Sequence, residues 1–182
     1  LLLLAPMLVA LLMSLPLLIP MLFSSEFLPV VGMAQVAVLA MYFKVLTLPV
    51  AYITLARRQS LPYLVLETSY FVVLIVAIVM GYRLWGIWGT GVAIVIAHVA
   101  ENFFVTGYAT WKFDYRTTSS VMRYAAIQMT IGFAAYAVTL LTDGWLYWIT
   151  EAALTIVSTA YSVHILRQKT HLWERLRSKL RI

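Results

Sequence analysis

One lysine, Lys44, interrupts the apolar run 33–56, flanked by Met41, Tyr42, Phe43 and Val45. If that run crosses a bilayer, an ammonium at its centre costs roughly 2.5–3.5 kcal/mol on insertion scales, so it must face a wet cavity or a partner. Pro49 follows five residues on. Lacking an N–H, it leaves the Val45 carbonyl without its helical donor, and the helix should bend there. A cation beside a hinge and a freed carbonyl is one way to build a membrane cavity for an anionic ligand. The alternative is that Lys44 pairs with a carboxylate elsewhere in the bundle, or snorkels.

A later run offers such a carboxylate. Gly89, Ala93, Ala97 and Glu101 recur at i+4 steps, a small-residue stripe that lets another helix approach closely and puts Glu101 on the packed side. His98 precedes Glu101 by three residues and addresses the same region. Lys44 lies at a similar depth, so spacing allows a Lys44–Glu101 pair with His98 as a titrating neighbour. For His98, a plain structural hydrogen bond is the competing reading. His98 and Glu101 are too few ligands for a metal, and no cofactor motif is present.

Two further stripes, Gln128, Gly132, Ala135 and Thr139, and Glu151, Thr155, Ser158 and Ser162, suit hydrogen bonding between neighbouring helices. Glu151 is expected near the outer interface, where a carboxylate is easily tolerated. Gly81, Gly86, Gly89 and Gly91 cluster at a turn between apolar runs, not between a strand and a helix, so they form no phosphate loop. No Ser/His/Asp constellation converges, nothing favours nucleic-acid binding, and the chain is not expected to be an enzyme.

The elements that must hold these residues follow from composition. Of 182 residues, 63% are hydrophobic and only 11% charged, with no Cys and a net charge of +6. Soluble domains carry about 25% charged residues, so the apolar excess here must face lipid. Spanning helices need about 20 apolar residues. Six segments qualify: 1–23, 33–56, 62–80, 88–108, 122–141 and 145–166. They lack the alternation of a barrel. The expected fold is therefore all-α, a polytopic bundle of about six transmembrane helices.

Arg57 and Arg58 follow the second segment, Lys112, Arg116 and Arg123 the fourth, and Arg167 onward the sixth. The opposite connections carry only Glu26, Arg83 and Asp143. This alternation puts the basic connections and the C-terminus in the cytoplasm. Trp85, Trp88, Trp111, Tyr115, Trp145, Tyr147 and Trp148 sit at segment ends, as interface aromatics do. In the tail 169–182, Leu172, Leu176 and Leu180 recur every four residues among basic residues; this reads either as an amphipathic helix on anionic lipid or as a solvated tail. The chain opens inside an apolar run without Met, which suggests the C-terminal piece of a longer protein.

Three stretches carry a resemblance: LLIPMLFSSEFLPV (17–30), with Phe23 and Phe27 in an F-x3-F element; YITLARRQSLPYLVLE (52–67), a basic hinge between spans; and MGYRLWGIWGTGVAIVIAHVAEN (80–102), a Gly-rich turn entering a small-residue helix. Together they resemble the polysaccharide (O-antigen and exopolysaccharide) flippases of the multidrug/oligosaccharidyl-lipid/polysaccharide exporter superfamily. The resemblance implies part of a 12–14-helix, two-lobe transporter in the bacterial inner membrane. Residues 1–110 would be later helices of the second lobe, and 111–168 the extra C-terminal pair. It implies flipping of a polyprenyl-pyrophosphate-linked oligosaccharide by alternating access, with a polysaccharide polymerase and glycosyltransferases as further partners. Lys44 would meet the pyrophosphate, and Arg57 and Arg58 the headgroup at the inner face. The alternatives are a multidrug exporter of the same superfamily, for which Glu101 would bind cationic drugs, and a membrane-embedded polysaccharide-processing enzyme using His98 and Glu101 as acid and base.

Overall fold

The computed structural model describes residues 2–142 and 144–169, and among these every regular element is helical. In chain order they are α1 (Leu4–Leu22), a single 3-10 turn (Ser25–Phe27), α2 (Val30–Ala56), α3 (Ser60–Phe113), α4 (Ser119–Leu141) and α5 (Gly144–Lys169). Five of these are long and apolar enough to cross a membrane. Helices are the form such apolar runs need in a bilayer, because hydrocarbon offers no partner for backbone N–H and C=O groups and each run would have to satisfy its own.

The expected third and fourth segments form one helical run of 54 residues. Straight, it would extend about 81 Å, well over twice the hydrocarbon thickness. It is not straight. Gly86 has φ 64° and ψ −145°, outside the helical region and open chiefly to glycine. The arms 60–85 and 87–113 fold back on each other there. At Gly81 and Gly89 the two backbones meet so closely that a Cβ on either glycine would strike the other's carbonyl oxygen. Farther along, the Tyr70 ring stacks on His98 with centroids 5.1 Å apart.

The α3 hairpin packs along α2, and Val50, Ala51, Val105 and Ala109 form the buried seam toward one end. A second core joins Ala5, Leu8, Val9 and Leu12 of α1 to Val38, Leu39 and Tyr42 of α2 and Ala135 of α4. The α4–α5 pair is not set apart: it packs on α1, and α4 also meets α2. Gln128 bonds Ser158 and Ser162 across the pair, with Gln128 Nε2 donating to Ser162 Oγ at 2.9 Å and Ser158 Oγ donating to Gln128 Oε1 at 2.8 Å. The stripes are only partly used this way. Thr139 and Thr155 turn back onto carbonyls of their own helices.

Phe71, Ile75, Phe103 and Ile156 are among many large apolar side chains left exposed, a surface compatible with contact to lipid. Tyr147 departs from its expected interface role. It is buried and donates to the Met13 carbonyl at 2.9 Å, in the turn of α1 that Pro16 disturbs. Alternation of the helices brings Arg57, Lys112, Arg116, Arg123 and Arg167 to one end and Glu26 and Arg83 to the other. At the basic end the Arg57 guanidinium lies 5.6 Å over the Phe113 ring, and Tyr108 donates to Gln59 at 2.8 Å. Beyond Lys169, the tail with its expected amphipathic helix lies outside the described residues.

The turn at Gly86 has open space around the position a Cβ would occupy, so any loss on substitution there is conformational rather than steric. Gly86→Ala should destabilise the protein by about 1–3 kcal/mol. Gly107→Ala, in a helix with equally open surroundings, should be neutral or stabilising. Equilibrium unfolding in mixed micelles measures both.

Candidate functional site

Lys44 projects from the middle of α2 toward the 87–113 arm, where its Nζ meets Glu101 Oε1 at 2.6 Å. The other carboxylate oxygen is taken by His98, with Nδ1 to Oε2 at 2.8 Å. Directing the Nδ1 proton at Glu101 leaves Nε2 as an acceptor, and the Tyr70 hydroxyl stands 3.4 Å from it. The Tyr70 ring also lies under the ammonium, 4.9 Å from Nζ to the centroid. One turn along, Asn102 donates to Thr47 at 2.9 Å, and Thr47 donates to the Phe43 carbonyl, a second polar link between the same elements.

The local reasons are legible. The i,i+3 spacing puts His98 and Glu101 on one face of the arm. Gly91 lets the arm lie directly on α2, since a Cβ there would strike the Met33 carbonyl, while Ala93 lies against Gly81 of the other arm. The Gly86 turn then swings Tyr70 over the pair from the other arm. Glu101 is 2% exposed whereas Lys44 keeps 26% of its side chain open. The carboxylate is thus desolvated and doubly satisfied, while the ammonium also borders a cleft of about 190 Å³ lined by Lys44, Leu48, Tyr52, Tyr63, Glu67 and Glu101. The alternatives posed by the sequence coexist: Lys44 has both a carboxylate partner and a cavity. The cleft holds one ammonium against two carboxylates.

Arg57 and Arg58 do not join this site. They sit some 20 Å away along α2 and line no part of the cleft. Both are exposed and close the helix: Arg58 adopts a left-handed φ of 57°, its N–H donates to the Leu55 carbonyl and that of Gln59 to Thr54, each at 2.9 Å. Pro49 is also elsewhere. It lines an apolar groove with Val45, Leu46 and Val50, and α2 runs unbroken through it. Sequence reasoning missed Tyr52, Tyr63, Glu67 and Tyr70. Tyr63, Glu67 and Tyr70 recur at i, i+4 and i+7 on one face of the 60–85 arm, and Tyr52 follows Lys44 and Leu48 at i+4 steps on α2, a shared face that was the available signal. Glu67, near the basic end of its arm, reads as an ordinary interfacial carboxylate.

Among the described residues no group of three or more His, Asp or Glu could hold a metal ion. The chain matches no family model, no curated protein and no solved structure. What the fold and site define is a class: among the described residues, an all-helical bundle with five helices long and apolar enough to cross a membrane and an ion pair between two of them.

Breaking a buried pair by removing one partner leaves the other charge unpaired and costs up to about 3–5 kcal/mol, less where water reaches it. A double-mutant cycle on Lys44→Met and Glu101→Gln should give a coupling of about 1–3 kcal/mol. Lys44→Met should be the more damaging single change, because it strands the less exposed partner. Equilibrium unfolding of the single and double variants in mixed micelles reads all of these.

Proposed function

We propose that this chain belongs to a membrane transporter that flips polyprenyl-pyrophosphate-linked oligosaccharide across the bacterial inner membrane by alternating access. In this reading the two arms of α3 each cross the bilayer, giving six crossings, and the Arg/Lys-rich end and the C-terminus are cytoplasmic. The observation that carries it is the Lys44–Glu101 pair bordering a cleft in the apolar part of the bundle. Ionisable groups at such a depth are retained chiefly where a pathway uses them. The resemblance of the stretches at 17–30, 52–67 and 80–102 to polysaccharide flippases supplies the substrate class.

The chemistry is an exchange of partners. An incoming pyrophosphate competes with Glu101 for the Lys44 ammonium. As Lys44 turns to the substrate, Glu101 keeps its hydrogen bond to His98. On release the ammonium returns to Glu101. Arg57 and Arg58, exposed at the basic end, offer a first contact for the headgroup before it enters.

One observation favours a second reading, export of cationic drugs: Glu67 and Glu101 outnumber Lys44 in the cleft. The two separate experimentally. Under the flippase reading, Lys44→Ala in the complete protein abolishes surface polysaccharide while the protein still inserts. Normal polymer in that variant, with drug sensitivity rising in Glu67→Gln, would support the exporter instead. A reporter fused after Ile182 should behave as cytoplasmic, and periplasmic behaviour would overturn the orientation.

A further inference from the structure

A second acid lies deep in the bundle and plays no part in the site above. Glu151 is fully buried, and no protein group hydrogen-bonds to either of its carboxylate oxygens. It was expected at the outer interface in reach of water; the packing of α5 on α1 and α4 encloses it instead. Nothing charged faces it from those elements. α1 carries no titratable side chain between Leu4 and Leu22. On α4 the titratable groups are Arg123, at the basic end, Tyr124, which packs on Tyr161, and Tyr136, which receives a hydrogen bond from Trp88. On α5 itself the neighbour one turn away is Tyr147, whose hydroxyl is committed to Met13. Tyr161, His164 and Arg167 lie about three turns or more toward the basic end.

A lone ionised carboxylate in such surroundings has no compensation for lost hydration, so it takes up a proton. A route to water is close. A cleft of about 300 Å³ at the Glu26/Arg83 end is lined by Gln35, Thr139, Thr142, Tyr147 and Trp148 among others, and Tyr147 precedes Glu151 by one helical turn. We propose that Glu151 is a proton-binding site that exchanges with this cleft past Tyr147. Its use as the coupling site of transport rests on the transporter reading. The binding itself does not, because it can be read without any substrate.

The test is infrared difference spectroscopy on the complete protein in lipid nanodiscs, as buffer is stepped from mildly acid to alkaline. The expected result is a carboxylic-acid C=O band in acid that is lost in alkali, absent in Glu151→Gln, and restored at a shifted frequency in Glu151→Asp. Gln is a close mimic of the neutral acid, so that variant should fold. Identical spectra for the wild type and Glu151→Gln would overturn the site. After a pH jump, filling the cleft with Gln35→Leu and Thr139→Leu should slow loss of the band several-fold, and an unchanged rate would overturn the route.

Discussion

Hydrocarbon solvates neither an ammonium nor a carboxylate, and the 2.6 Å contact between Lys44 and Glu101 is how this chain meets that constraint. The rest of the arrangement is organised around it. For the two groups to meet, α2 must lie against the 87–113 arm in one register. Gly91, with no room for a Cβ against the Met33 carbonyl, permits that approach, and the Asn102–Thr47 bond, made by the residue next to Glu101, holds the same alignment. The 60–85 arm then has to return past the pair. It does so because Gly86 adopts a backbone conformation closed to most residues, bringing Tyr70 over both Lys44 and His98. A polar requirement thus sets the packing, in a medium where apolar side chains have little preference for each other over lipid.

The two buried acids make a useful contrast. Glu101 faces an element carrying a cation, and both of its oxygens are occupied. Glu151 is enclosed where α5 packs on α1 and α4, and neither of its oxygens is occupied. The side chains are the same and the burial is nearly the same. The neighbouring helix alone decides that one is a member of an ion pair and the other has no protein partner. Function in a membrane bundle accordingly has to be read pair by pair, not from the presence of an acid on an apolar run.

Much of the site was visible along the chain, because a charge in an apolar run has few outlets. Lys44, His98 and Glu101 stood out by type and depth, and spacing allowed their meeting without requiring it. Tyr70 and Glu67 did not stand out, since a tyrosine or a carboxylate toward a helix end is commonplace and only the returning arm makes them neighbours of Lys44. Arg57, Arg58 and Pro49 were conspicuous for good local reasons, a helix closure and a missing N–H. Neither reason bears on the cleft, which opens on another face of α2. Tyr147 was misjudged for the opposite reason: aromatic residues at span ends usually face the interface, but here a carbonyl near Pro16 draws the hydroxyl inward.

What the sequence determined by itself was the solvent and the periodicity: apolar runs long enough to need helical backbones, breaks where charge and glycine gather, and basic residues at alternate connections. These are local properties, decided by hydration and by each backbone's need for its own hydrogen bonds. The tertiary structure decided which helix each polar face meets, that the 54-residue run turns back on itself at one glycine, and that one carboxylate finds a cation while another finds none. Those outcomes depend on contacts between residues dozens of positions apart, and along a chain this uniformly apolar the pattern of hydropathy is nearly the same whichever partner is chosen.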